Sequence, residues 1–133
     1  MTHVILASVN DSFVAVNVDR VSHVVWDTRV TPIPGSPSYI AGVLVYRQHL
    51  VGVVDLARRL KRKSDGSGKH IFLVHMDDMM VGVRVDRVLG VFPGEPSDGR
   101  DDGAITVADR EALLIGPDDI LSGKAKRVLH GFY

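Results

Sequence analysis

The feature that most constrains this chain is an internal repeat. Sliding the sequence by 67 positions lays residues 2–25 on residues 69–92 without a gap, and ten of the 24 pairs are identical. At its centre is the phrase Val-x-Val-x-Val-Asp-Arg-Val-x-x-Val, present as Val14 to Val24 and again as Val81 to Val91. The chain holds 22 valines, so valine matches come cheaply, but the polar pair Asp19-Arg20 returns intact as Asp86-Arg87. The shift is also half of the 133-residue length. Such a repeat directs the chain towards two structurally similar units.

The units are β. Val14, Val16 and Val18 alternate with Ala15, Asn17 and Asp19, the period of a strand with one buried side. Met80 to Asp86 repeats the pattern with Val81, Val83 and Val85. Further strands are predicted at His3–Ser8, Ile40–Tyr46, Leu50–Val54, His70–His75, Ala104–Val107 and Leu113–Ile115. Helix is scarce. Asp55 to Lys63 can open with Asp55 as N-cap and run two turns, and Pro117 to Ser122 is a single turn. A unit of roughly 65 residues has a thin core, so two of them must share a hydrophobic interface. The expectation is a single all-β domain over 1–133, with subdomains at about 10–65 and 69–121 and terminal segments exchangeable between them. Lys61 to Lys69 is predicted to be a flexible linker and Pro93 to Gly103 the longest structureless loop. Three prolines between Thr31 and Ser38 predict an extended, kinked connection.

Composition then removes function classes. Sixteen basic residues balance sixteen acidic ones, so no global field draws in nucleic acid or an anionic membrane. The absence of cysteine excludes disulfides, thiolate metal sites and a thiol nucleophile, and suits a cytoplasmic setting. No apolar run nears the roughly 20 residues that span a bilayer, and the N-terminus lacks the basic region of a signal peptide. The six histidines show no metal-ligand spacing. Asp98, Asp101 and Asp102 lack calcium-loop spacing. Asp77/Asp78 and Asp118/Asp119 are neighbours, which point apart on a strand, and neither a GxSxG nor a phosphate-binding glycine motif occurs. No cofactor, metal or catalytic residue is therefore assigned. The one basic run (Arg58, Arg59, Lys61, Arg62, Lys63, Lys69) lacks interleaved aromatics and reads as a solvated face.

The order of phrases resembles the CheW-like domain family of bacterial chemotaxis adaptors. A Pro-containing segment, Pro32 to Pro37, precedes Tyr39-Ile40-Ala41-Gly42-Val43, an Arg-containing turn at Arg47, and Val53-Val54-Asp55-Leu56. The second valine hairpin and the closing GAITVADREALLIGPDDIL complete the likeness, which covers nearly the whole chain. The resemblance implies two five-stranded β-barrels around a shared core. It also implies a non-catalytic adaptor at membrane-associated receptor arrays, coupling a chemoreceptor's hairpin tip to the regulatory domain of a CheA-type histidine kinase. Where the family has Asn-x-Arg-Gly, this chain has Val45-Tyr46-Arg47-Gln48, and where a Glu often pairs with that Arg it has His23.

On that resemblance the partner-binding candidates are Arg47, Tyr46, Gln48 and His23, with Val30, Ile33, Val43 and Val51 as apolar groove residues. Core packing competes for each of the aliphatic four. Leu50, Val51 and Val53 are expected in the core on one face. Trp26 is either an exposed anchor or a buried core residue, and the two Asp-Arg pairs shape equivalent turns. Three other readings stand beside the two-partner coupler: an adaptor retaining one partner, a small barrel binding nucleic acid through the basic run, and an enzyme with a site between the barrels. Neutral charge and few aromatics oppose the second, and the lack of an acid–base pair opposes the third.

Overall fold

Both copies of the repeat fold as β-hairpins. The computed structural model describes residues 2–10, 12–26, 29–60, 70–76, 79–96 and 104–116. The strands are β1 (Thr2–Val9), β2 (Ser12–Asn17), β3 (Val21–Trp26), β4 (Ile40–Tyr46), β5 (His49–Asp55), β6 (His70–Met76), β7 (Met79–Val85), β8 (Arg87–Pro96), β9 (Ala104–Val107) and β10 (Arg110–Leu114), with one helix, α1 (Leu56–Arg59), and a 3-10 turn at Val18–Arg20. The repeat makes the hairpins β1-β2 and β6-β7. The first joins a closed barrel ordered β1-β2-β10-β9-β8, and the second a five-stranded sheet ordered β3-β6-β7-β5-β4. The expected second barrel is thus an open sheet with β3 and β4 at its edges.

The chain halves do not each make a sheet. β2 leads into β3, which pairs with β6 of the open sheet, while β7 leads into β8, which pairs with β1 of the barrel. Each hairpin therefore hands its following strand to the other sheet. In sequence the two sheets are therefore interleaved, with β1, β2 and β8–β10 in one and β3–β7 in the other. Both Asp-Arg pairs stand at these crossings. Asn17 accepts a hydrogen bond from the Asp19 amide at 3.1 Å in the 3-10 turn, and Asp86 accepts one from the Asn10 amide at 2.6 Å.

Three apolar clusters explain the valines. Val14, Val16, Phe72, Val74, Val81, Val83 and Val85 meet in a core shared by the two sheets. Val4, Leu6, Ala15, Ile105 and Val107 fill the barrel, and Leu44, Val51, Val53, Ile71 and Leu73 cluster on the open sheet. The repeat hairpins are consequently buried on both faces, not on one as the alternation predicted. The opposite face of β2 is closed by the small Ala15, and its repeat equivalent in β7 is Gly82, where an added Cβ would lie 3.0 Å from Ile71.

Other boundaries move for local reasons. β2 stops at Asn17, because the Asn17 cap turns the chain before Val18. β3 and β8 went unpredicted as strands, since their alternation is broken by register shifts and by Gly90. Proline and glycine suggested a loop from Pro93, yet β8 runs to Pro96 because β1 and β9 flank it. The expected second turn of the 55–63 helix is absent up to Leu60, where the cap ends a single turn, although Asp55 is its N-cap as predicted. The 61–69 linker, the rest of the 93–103 loop, the 117–122 turn and the acidic pairs at 77/78 and 118/119 lie outside the described residues. Gly42 is required by close approach: φ is +148° and a Cβ would strike the Thr31 carbonyl, whose peptide brackets Val43 with two 2.8 Å hydrogen bonds.

Candidate functional site

The open sheet leaves a mouth between β3 and the β4-β5 hairpin. Tyr46 and His49 pair across that hairpin, so its turn holds only Arg47 and Gln48. Both have positive φ, 49° and 69°, as a two-residue type I′ turn demands. Gln48, which stands where the resemblance has a glycine, adopts a left-handed backbone without being glycine. This geometry projects Arg47 over the Tyr46 ring, with its guanidinium carbon 5.2 Å from the ring centre. From the facing edge, His23 leans on the other contact of that ring, 5.2 Å between centroids and tilted by 49°. Its Nδ1 is 2.7 Å from the Ser22 hydroxyl.

These residues line a cleft of about 320 Å³ with His49, Leu50, Val51 and Met80. Val51 is its floor and belongs to the core of the open sheet. Leu50 also lines a neighbouring cleft of about 470 Å³ with Arg29, Thr31, Val43, Leu44 and Val45. Four predicted residues thus converge: His23, Tyr46, Arg47 and Val51. Val43 lies in the neighbouring cleft. Gln48 is exposed at the turn tip and lines neither. Val30 packs against the open-sheet core and Ile33 against the shared core, and neither lines these two clefts.

Sequence reasoning misplaced Leu50 in the core; it is 41% exposed, paired with Val45 at 64%. Strand parity could have found it, because Leu50 and Val51 must face opposite sides. Trp26 resolves as exposed, at 71%, with its ring edge against His70, 5.8 Å between centroids. Val24 and its repeat partner Val91 are both about half exposed, at 48% and 54%.

The charged groups divide into two kinds. Asp55, only 3% exposed, holds the Arg84 guanidinium at 2.8 Å and accepts weakly from the Arg58 amide at 3.3 Å. That ion pair is structural and joins β5, β7 and α1. The cleft, by contrast, is lined by Arg47, His23 and His49, and no carboxylate lines it among the described residues. Among the described residues no group of three His, Asp or Glu side chains is placed to hold a metal, and no helix is long and apolar enough to cross a membrane.

Comparison with known proteins places this geometry in context. The sequence model of the CheW-like domain family matches residues 3–115. The chemotaxis protein CheW of Thermotoga maritima is 34% identical over 84 residues, which is 62% of this chain and 56% of that protein. The chemotaxis protein CheW of Rhizobium meliloti is 29% identical over 105 residues, 77% of this chain and 59% of that protein. The matches thus span little more than half the length of these relatives. Among solved structures, the scaffolding protein TtCheW from Thermoanaerobacter tengcongensis superposes with a TM-score of 0.76 at 24% identity, covering 86% of this chain and 88% of that one.

Proposed function

The chain belongs to the CheW-like domain family, and from that premise we propose that it is a non-catalytic chemotaxis adaptor that couples a chemoreceptor to a CheA-type histidine kinase. The kinase contact is its regulatory domain, and the receptor contact is the cytoplasmic hairpin tip. The observation that carries the reading is the family match across both sheets, from residue 3 to residue 115. Supporting it, the open sheet offers an apolar cleft with Arg47 fixed at its rim by a strained two-residue turn. A helix laid into such a groove buries aliphatic side chains and leaves polar ones at the edge. Tyr46, Arg47, His23 and Val51 form the receptor-side contact, with Val43 beside it. An adaptor needs no reaction centre, only two surfaces held rigidly apart. The exposed Trp26 and Val24 on β3 offer a second apolar surface.

The test is a pulldown of the purified protein against a CheA regulatory domain and a receptor cytoplasmic fragment, with Arg47→Glu in parallel. Binding of both partners, with receptor binding alone lost in Arg47→Glu, is the expected result. Binding of one partner only would identify a one-sided adaptor. Binding of neither would end the coupling reading and leave the fold assignment untouched.

A further inference from the structure

We propose that the cleft between β3 and the β4-β5 hairpin is selective for charge: it takes a protein segment presenting a carboxylate flanked by aliphatic side chains. The proposal deepens the adaptor reading, because it names the chemistry of the partner at the same site.

Three observations carry it. First, the rim carries the Arg47 guanidinium, with the His23 and His49 imidazoles lining the same cleft. Arg29 adds a further cation in the neighbouring cleft, which Leu50 joins to the first. Second, no carboxylate lines either cleft among the described residues. The Arg47 guanidinium lies over the Tyr46 ring, and the buried Asp55 carboxylate is paired with Arg84 instead. A guanidinium held over the Tyr46 ring can still donate its N–H fork to a carboxylate from outside. Third, the floor is apolar, made by Val51, Leu50 and Met80. An isolated anion would gain little there, and a wholly aliphatic segment would leave the guanidinium unmatched. A segment carrying both groups satisfies floor and rim together.

His23 is what keeps the rim open. His23 and Arg47 approach the same Tyr46 ring, each 5.2 Å from its centre, so a carboxylate at position 23 would add a negative charge to the rim that carries the guanidinium. Histidine fills the space against the ring and leaves the charge available. The identity of residue 23 then decides whether Arg47 serves the chain itself or its partner.

The test uses two synthetic helical peptides, Leu- and Ala-rich, identical except for a central Glu or Lys, titrated into the full chain. Binding is followed by amide chemical shifts in 46–51 and 79–81. The Glu peptide should bind about tenfold more tightly than the Lys peptide, the scale of one charge-assisted hydrogen bond. Arg47→Glu should invert that preference, and His23→Glu should weaken the Glu peptide severalfold without altering the thermal midpoint by more than a few degrees. Equal binding of the two peptides, no saturable shift at millimolar peptide, or shifts centred elsewhere would overturn the proposal. Its failure is separable from that of the adaptor reading. A receptor fragment that binds wild type and Arg47→Glu equally leaves the adaptor and removes charge selection. Glu-peptide selectivity without binding of kinase or receptor fragments does the reverse.

Discussion

Arg47 and Gln48 occupy a backbone conformation that their side chains do not favour, and β9-β10 repeats it at Ala108 and Asp109, with φ of 48° and 62°. A non-glycine residue in the left-handed region costs about 1 kcal/mol or more. Gln48→Gly should therefore stabilise the protein by roughly 0.5–1 kcal/mol, read as a higher denaturant midpoint at unchanged slope. Because Gln48 lines neither cleft, partner binding should be unchanged. Gly42 is the opposite case. Gly42→Ala would drive a methyl into the Thr31 carbonyl, and about 4 kcal/mol of stability should be lost, enough to be seen as poor soluble yield or a much lower melting point. At this scale the sequence showed which residues were special but not always why. Arg47 was legible as a turn residue, whereas Gly42 stood inside the Tyr39–Val43 phrase without its close approach to Thr31 being readable. The exposure of Trp26 was not, because an edge strand's outward face is decided by what else covers it.

Among the elements, α1 is a single turn and owes its place to Asp55. That carboxylate caps the helix, and it also neutralises Arg84 on the adjacent parallel strand β7. Removing one member of a buried ion pair strands the other, so Asp55→Ala should cost about 3–5 kcal/mol. Asp55→Asn retains a capping oxygen and should cost less. The double variant Asp55→Ala/Arg84→Met should recover part of the loss, and a double-mutant cycle by chemical denaturation checks this. Eight of the ten strands left a readable trace in sequence because their apolar residues fall in runs or alternate. β3 and β8 did not. They carry register irregularities, and their extended form depends on neighbours supplied by the distant copy of the repeat. The open edge between β3 and β4 was equally invisible, since hydropathy records burial and not whether a sheet closes.

The whole molecule is one cooperative unit by construction. The sheets share a core containing Val14, Val16, Phe72, Val81 and Val83, and each depends on a strand carried in from the other repeat. Trp26 fluorescence on the open sheet and far-ultraviolet circular dichroism, which reads both sheets, should give coincident urea transitions. Two separated transitions would show that the shared core does not bind the sheets into one unit. The crossing strands carry one more consequence, and it concerns ancestry. In assembly terms β3 and β8 are swapped elements enclosed within a single polypeptide. A half-length precursor with one hairpin and one such strand could complete its sheet only by trading that strand with a twin, at a stability set by its concentration. Fusing the two copies end to end makes the trade intramolecular and concentration-independent. It also frees the two sheets to diverge, so that one closes into a barrel and the other does not.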